Sequence, residues 1–437
     1  MSDAPSVFLE TFGCQMNRAD SQTALALLSA AGYRRIDDPL SADVVIYNTC
    51  AVRDHAEARV RGRLDSWKNR KRPGQVIAVL GCMAQRLGDE LGATYPWVDI
   101  ALGSDHMACL PGAVAAARAG DRLLRFDAAD DPDVERPARH EGINAWIPVM
   151  RGCDHRCSYC IVPTTRGPER SRHPDTIQRE VAAALEGGQV QITLLGQTVD
   201  AYGRDLDPPC TLADLLRLLH PLPGLRRLRF VTSHPQHVDD DLLGCVAELP
   251  KLARHLHIPA QSGSDRVLER MARGYTRAAY LDLVSRARRI IPAVELLSDF
   301  IVGFPGESDD DFQATVSLME DVGFDGAFVF MYSPRPGTPA ADLEDDVPAA
   351  TKRRRCNHLI GLQLAHQERM HRALIDQTLD ILIEGPSSGN PSRWQGRSPG
   401  NRLVMVPREL IPAAQPGDLL PVVITAATNL TLLGRPA

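Results

Sequence analysis

Short apolar runs recur along the chain, each followed by a stretch whose apolar positions lie three and four apart. In residues 1–125 the runs are SVFLET, DVVIYN and QVIAVL. Continuous rather than alternating apolar character predicts strands covered on both faces, as in a parallel sheet. Between the first two, Ala24, Leu27, Leu28 and Ala31 share one helical face. The pattern predicts an open parallel α/β domain. Residues 126–141, DAADDPDVERPARHEG, are acidic, proline-bearing and aperiodic, which predicts a linker. Over 142–372 a new series follows: WIPVM, QITLLG, LRFVTS, HLHIPA, LLSDFIVG and GAFVFMYS, alternating with helical segments. Six βα units predict an open or partial (β/α)6 barrel rather than the closed eightfold form. After a long helical stretch from TKRRRC to RALI, residues 373–437 turn to short strands with Gly, Ser and Pro between them, predicting a small antiparallel β-barrel. No repeat of constant period interrupts this order.

At 437 residues the chain has room for two to three domains. It contains no uninterrupted apolar run of the roughly 18 residues a membrane span needs, and its start, MSDAPSVFLETFGC, lacks a basic segment followed by an apolar core. A cytoplasmic protein is expected, and no membrane partner. There the ten cysteines stay reduced, so clustered ones point to metal ligation rather than disulfides. The net charge of −6 excludes chain-wide attraction to nucleic acid. RNA contact would fall to local patches: KNRKR at 68–72, KRRR at 352–355, and the grouping Arg393, Trp394, Arg397 and Arg402, where guanidinium and aromatic groups suit phosphates and unpaired bases.

Six cysteines form two groups. Cys153, Cys157 and Cys160 lie in RGCDHRCSYC, directly after an apolar strand. Structural zinc sites and typical ferredoxin-type clusters take four protein ligands, so three thiolates leave one position open. An open position suits chemistry; a zinc site completed by His155 or a remote residue is the alternative. Cys14, Cys50 and Cys82 each follow one of the first three apolar strands. Because ligands bind beyond the carboxyl ends of strands in an open parallel sheet, these three can converge as a second site. Cys109, Cys210, Cys245 and Cys356 have no ligand-like neighbours and read as packing residues. In the barrel region the polar strand ends carry Gln197, Ser233, His234 and Gln261, where barrel active sites lie.

The segments GCQMN, NTCAVR, GCMAQR, RGCDHRCSYCIVPTTRGPERSR, LLGQTV, FVTSHP, HIPAQSGS, RMARGYT, IVGFPGE and YSPRPGTPAA occur in the order seen in radical S-adenosylmethionine (SAM) methylthiotransferases. The chain resembles that family across nearly its whole length. GCQMN and NTCAVR resemble its tRNA-modifying branch. The resemblance implies an N-terminal methylthiotransferase domain, a radical SAM barrel and a C-terminal TRAM domain that helps bind RNA. It implies two 4Fe-4S clusters and SAM as cofactors. By position, Cys14, Cys50 and Cys82 would hold the auxiliary cluster, and Cys153, Cys157 and Cys160 the catalytic, SAM-binding one. LLGQTVDAY departs from the more usual LLGQNVNSY at Thr198 and Asp200, which are expected at most to tune substrate contacts.

The implied substrate is the prenylated adenosine immediately 3′ of the anticodon, position 37 of tRNA, whose C2 hydrogen is replaced by a methylthio group. That C–H bond has no acidic proton for a side-chain base, which is why a radical is needed. SAM would serve as both methyl donor and radical source, with sulfur carried on the auxiliary cluster. Tyr159, Gln197, Ser233 and Gln261 are candidates to contact SAM. Arg166 and Arg170 are candidates to hold the SAM carboxylate or an RNA phosphate, since a guanidinium fork suits either anion. Gly303, Pro305 and Gly306 are expected to shape a turn at the barrel mouth. A flavodoxin- or ferredoxin-like electron donor, sulfur and cluster supply proteins, and a monomeric state are further expectations. The alternatives are the same chemistry on threonylcarbamoylated adenosine or a ribosomal protein, and a non-catalytic metal protein that binds RNA.

Overall fold

The computed structural model describes residues 4–51, 54–127 and 142–437, so most of the expected linker lies outside the described residues. The N-terminal sheet is parallel and six-stranded: β1 (Ser6–Thr11), β2 (Arg34–Arg35), β3 (Val44–Thr49), β4 (Val76–Gly81), β5 (Ile100–Leu102) and β6 (Leu123–Arg125), in the order β2-β1-β3-β4-β5-β6. The three expected strands are β1, β3 and β4, adjacent at its centre, and every residue of β3 and β4 is buried. That is why they read as unbroken apolar runs.

The helix Gln15–Ala30 departs from the expected single apolar face. Ala24 and Leu28 are buried, but Leu27 is only partly so and Ala31, just past its end, is exposed. A second face carrying Met16, Ala19 and Thr23 is buried as well, and the first continues through the polar Asn17, Asp20 and Ser21. The helix is covered twice because one side lies on its own sheet while Met16 and Ala19 pack on Leu195 of the central barrel.

That barrel is built from β7 (Asn144–Pro148), a short ribbon of β8 (Met150–Arg151) with β9 (Arg170–Ser171), then β10 (Gln191–Leu195), β11 (Arg227–Val231), β12 (His255–His257), β13 (Glu295–Val302) and β14 (Gly326–Met331). The strands β7, β10 and β11 form one parallel sheet, and β12, β13 and β14 another. The Ser233 amide donates to the His257 carbonyl at 3.0 Å and Leu228 bridges Leu252, so the two halves adjoin as a six-stranded open barrel. Alternate residues, among them Ile147, Ile192, Leu228, Leu256, Phe300 and Val302, form the core beneath the helices.

After the helix Ala349–Arg372, β15 (Thr378–Pro386), β16 (Arg393–Arg397), β17 (Leu403–Pro407), β18 (Leu419–Ala427) and β19 (Leu432–Pro436) close a barrel in the order β15-β16-β17-β19-β18. It is antiparallel except at β17 and β19, which run parallel. This small barrel docks at the amino ends of the central strands. Arg402 pairs with Glu295 at 2.7 Å and Asp325 at 2.5 Å, Arg227 donates to the carbonyls of Arg397 and Ser398, and Arg229 donates to Asn401 Oδ1 at 2.7 Å. The N-terminal domain meets the opposite, carboxyl ends. The central barrel is thus capped at both ends, and the cysteines lie at one of them.

Candidate iron-sulfur and SAM site

Each cysteine group is placed by a strand end and, at three positions, by a preceding glycine. Gly13, Gly81 and Gly152 all have positive φ, at +127°, +91° and +78°. A Cβ on Gly13 would stand 2.6 Å from Cys50 Cβ; on Gly81, 2.6 Å from Asn48 Oδ1; on Gly152, 1.8 Å from the Pro168 carbonyl oxygen. Only glycine permits these turns and close approaches, which bring the loops bearing Cys14, Cys82 and Cys153 inward.

In the N-terminal domain two buried asparagines brace the loops. Asn17 donates to the Thr49 carbonyl at 2.7 Å, and its Oδ1 lies 3.1 Å from Cys14 Sγ as acceptor. Asn48 donates to the Asn17 carbonyl at 2.7 Å and to Ser21 Oγ at 2.9 Å, while the Thr49 hydroxyl donates to the Leu80 carbonyl. Cys82 packs with Ala51 and with Ile161, the neighbour of Cys160. The two thiol groups therefore face one another across the domain boundary. Burial raises the Cys82 thiol's pKa, against the opposing pull of Arg166 beside it.

The second group lies between β8 and the helix Val162–Arg166. The Cys153 thiol is 3.1 Å from Thr198 Oγ1. Cys157 Sγ accepts from Arg273 Nη1 at 3.2 Å, and Arg273 also reaches the Tyr159 hydroxyl at 3.5 Å, the Tyr275 hydroxyl at 3.0 Å and the Pro259 carbonyl. Burial pushes the Cys160 thiol up to about 12, with Cys157 and Cys153 close enough to add repulsion. Uncompensated, such thiols stay protonated; bound cations would offset both burial and mutual repulsion. Two guanidinium groups, Arg166 and Arg273, already stand beside the two groups. Iron-sulfur clusters fit this donor set.

SAM fits the strand ends. Gln197 Oε1 and Ser233 Oγ are buried without a hydrogen-bond partner among the described residues. Orphaned acceptors cost roughly 1–3 kcal/mol each, and the ammonium and hydroxyl donors of SAM would satisfy them. Thr232 and Gln261 both adopt positive φ, at 72° and 67°, strained conformations for residues with a Cβ. Gln261 is strapped to β13 through its amide to the Asp299 carbonyl at 2.8 Å and its carbonyl to the Ile301 amide at 2.9 Å. Tyr159 packs on a small cluster with Phe304 and Tyr332 beside the cysteine loop.

Several expected roles fall elsewhere. Arg166 is buried against Asp20, with 3.3 Å between Nη2 and Oδ2, and Cys82 adds to its hold on the proton; Arg170 is paired with Asp105. Both are engaged at the domain boundary, where they line a cavity together with Gln85, Asp105 and Thr164. Arg151 completes that network, reaching Asp20 at 2.6 Å, Asp105 at 3.2 Å and the Ser104 carbonyl at 2.6 Å. The Asp200 carboxylate accepts from the His234 backbone amide at 2.8 and 3.0 Å, and burial raises its pKa to about 8. Thr198 touches Cys153. His155 turns toward His237, with 2.8 Å between their Nε2 atoms, and stacks on His234, the three offering ring nitrogens within 4.8 Å of one another.

Three of the four members of the expected RNA-binding grouping on the small barrel are engaged within the protein. Trp394 is in its core under Arg408, Arg397 pairs with Glu384, and Arg402 is the docking arginine. Of KRRR, Lys352 pairs with Asp345, and Arg355 with Glu307 and Asp309. Sequence reasoning missed Asn17, Asn48, Asp20 and Arg273. The signal available was their position inside or beside the quoted segments, polar residues a few places from a cysteine or on a short RMARGYT turn.

Residues 6–103 match the uncharacterized protein family UPF0004, residues 147–319 the radical SAM superfamily, and residues 372–437 the TRAM domain. A tRNA-2-methylthio-N(6)-dimethylallyladenosine synthase of Clostridium botulinum (strain Loch Maree / Type A3) is 41% identical over 404 residues, 91% of this chain and 90% of that protein. One of the same name from Citrifermentans bemidjiense is 43% identical over 408 residues, 92% of each. Among solved structures, the radical SAM methyltransferase TsrM from Kitasatospora setae superposes with a TM-score of 0.59 at 15% identity, covering 77% of this chain and 75% of that one. This last likeness is one of fold.

Proposed function

The chain belongs to the family of tRNA-2-methylthio-N(6)-dimethylallyladenosine synthases, and from that membership we propose that it replaces the C2 hydrogen of N6-(dimethylallyl)adenosine, next to the anticodon of tRNA, with a methylthio group. It is a radical SAM enzyme that uses SAM and 4Fe-4S clusters. The observation that carries the reading is the pair of three-cysteine groups facing each other at the carboxyl ends of the central barrel, Cys82 packed beside Ile161. We assign Cys14, Cys50 and Cys82 to an auxiliary cluster and Cys153, Cys157 and Cys160 to the SAM-binding one. Bound there, these groups supply one-electron cleavage of SAM and a transferable sulfur, chemistry that acids and bases cannot provide at an aromatic C–H.

The protein's own side chains do the positioning. Arg273 holds positive charge on Cys157 and fixes the Tyr159 hydroxyl, and Thr198 orients Cys153. Gln197, Ser233 and Gln261 present polar atoms to SAM from three strand ends. Arg166 stabilises thiolate at Cys82 while Asp20 balances its charge. Burial of Cys50, Cys82 and Cys157 limits water access, which protects a reactive radical. Dimethylallyladenosine in the relatives' name disfavours threonylcarbamoylated adenosine or a ribosomal protein as substrate. Among the described residues no helix is long and apolar enough to cross a membrane. A monomer working in the cytoplasm, with a flavodoxin- or ferredoxin-like reductant and cluster-supply proteins restoring sulfur, completes the proposal.

The test is mass spectrometry of tRNA nucleosides after anaerobic incubation of cluster-reconstituted protein with SAM, a strong reductant and prenylated tRNA. The 2-methylthio nucleoside and 5′-deoxyadenosine are expected together. Cys153→Ala should abolish both, whereas Cys82→Ala should retain 5′-deoxyadenosine and lose the nucleoside product. Unchanged tRNA from iron-replete wild type would refute the reading.

A further inference from the structure

The lumen of the central barrel has one apolar wall left exposed among the described residues. On β14, Ala327 and Val329 pack into the core, so Gly326, Phe328 and Phe330 face the other way. That way is the lumen: a Cβ on Gly326 would meet Leu297, and the Phe328 ring stands edge-on to His257 at 6.2 Å. Across the strand pair Asp299 is opposite Phe328 and Ile301 opposite Phe330, and His257 bonds Asp299 at 3.0 Å. The far wall of the lumen is different. There Trp146, Leu195 and Val231 are covered by Met16 and Ala19 of the N-terminal domain. Phe328, by contrast, is 54% exposed and Phe330 37%, although β14 is the edge of its sheet, where natural sequences avoid exposed apolar rows.

Two exposed phenylalanines beside the polar pair His257 and Asp299 match an apolar appendage on a polar substrate. They are continuous with the reaction site, because Gln261 hydrogen-bonds the backbone on both sides of Phe300, at the residues paired with Phe328 and Phe330. We propose that Phe328, flanked by Phe330, receives the N6-dimethylallyl group and sets the preference for prenylated over unprenylated adenosine. The inference rests on the function proposed above. In adenine, C2 and C6 flank N1, so a base with C2 turned to the cysteine loops extends its N6 substituent across the lumen. Five carbons without hydrogen-bonding capacity gain only by leaving water, which an exposed aromatic wall provides.

The experiment is a cycle of dissociation constants, measured on full-length, cluster-loaded protein with SAM, using anticodon stem-loops with and without the dimethylallyl group. Wild type should prefer the prenylated RNA by about tenfold or more, the scale set by apolar pockets. Phe328→Ala should reduce that preference to within about threefold, and Phe328→Leu should retain an intermediate one. A variant that is merely misfolded weakens both RNAs by the same factor and keeps the ratio, so a preserved ratio in Phe328→Ala overturns the proposal. So does a wild type that methylthiolates the prenylated RNA without binding it preferentially. If wild type modifies neither RNA, the proposed function falls, and the subsite with it.

Discussion

Replacing Asp20 by alanine isolates the contact that aligns the two cysteine groups. Asp20 is 1% exposed and takes two guanidinium groups from the central barrel, Arg151 at 2.6 Å and Arg166 at 3.3 Å. Removing one partner of a buried ion pair costs about 3–5 kcal/mol, because the other charge is left desolvated. The lower end applies here: Arg151 keeps Asp105 and the Ser104 carbonyl, and Arg166 keeps the Cys82 thiol. A loss of about 3 kcal/mol is a large part of the roughly 5–15 kcal/mol that holds a domain folded. It corresponds to a fall in Tm of about 6–12 °C for a unit of this size. The assay is anaerobic denaturation of cluster-loaded Asp20→Ala, beside Glu368→Ala, which removes a helix-surface partner of Arg372 at 2.6 Å with 67% and 45% exposure. The surface change should cost under about 1 kcal/mol. If Asp20→Ala costs no more than Glu368→Ala, the boundary is not held by this network and the alignment of the two thiol groups has another origin.

Asp200→Asn, which restores the residue more usual in the family, should alter the pH dependence of stability. The Asp200 pKa is raised to about 8, so the folded state favours its protonated form. Wild-type stability is then fullest below about pH 4 and falls as the pH rises toward 8. The asparagine variant carries no such loss, and urea melts at pH 5, 7 and 9 should show the gap widening to about 2 kcal/mol or more, one pKa unit being worth about 1.4 kcal/mol. Gly152→Ala places a Cβ 1.8 Å from the Pro168 carbonyl oxygen and should lower iron by about one four-iron cluster per chain while Cys14, Cys50 and Cys82 keep theirs, read by iron analysis and electron paramagnetic resonance. Arg402→Ala leaves Glu295 and Asp325 buried without their shared cation. Limited proteolysis should then release the C-terminal barrel, at a cost of about 3 kcal/mol to its docking. Arg273→Met should weaken Cys157 ligation and slow 5′-deoxyadenosine formation more than it lowers overall stability, whereas Arg273→Lys should rescue in part.

The three-part order of the chain was legible because each part has its own period. Apolar runs such as VVIYNT and VIAVLG mark strands covered on both faces, and the apolar runs of the middle part alternate with helical segments; that LLSDFIV turns one face to the core and one to the lumen shows only in its burial. The six cysteines were singled out too, three by spacing and three by their place after strands. Polar residues were harder. Arginine and tryptophan in the small barrel looked like an RNA surface, yet Arg402 docks and Trp394 packs, because composition does not say which face of a short strand is turned inward. Asp20 sits mid-helix four residues before Ala24, on the face local periodicity takes for apolar, where a charge finds its partners only on another domain.

By itself the sequence determined the strands, the glycines that let cysteine loops turn, and which thiols are the candidates, since each depends on residues within a few positions of one another. Only the tertiary structure decided that two groups more than seventy residues apart face each other, that Asp20 is shared by Arg151 and Arg166, that Arg273 serves Cys157, and that Phe328 stands exposed in the lumen. Those facts depend on which faces meet when three units pack. Burial, which turns an ordinary aspartate or arginine into a costly and therefore paired charge, exists only after they have done so.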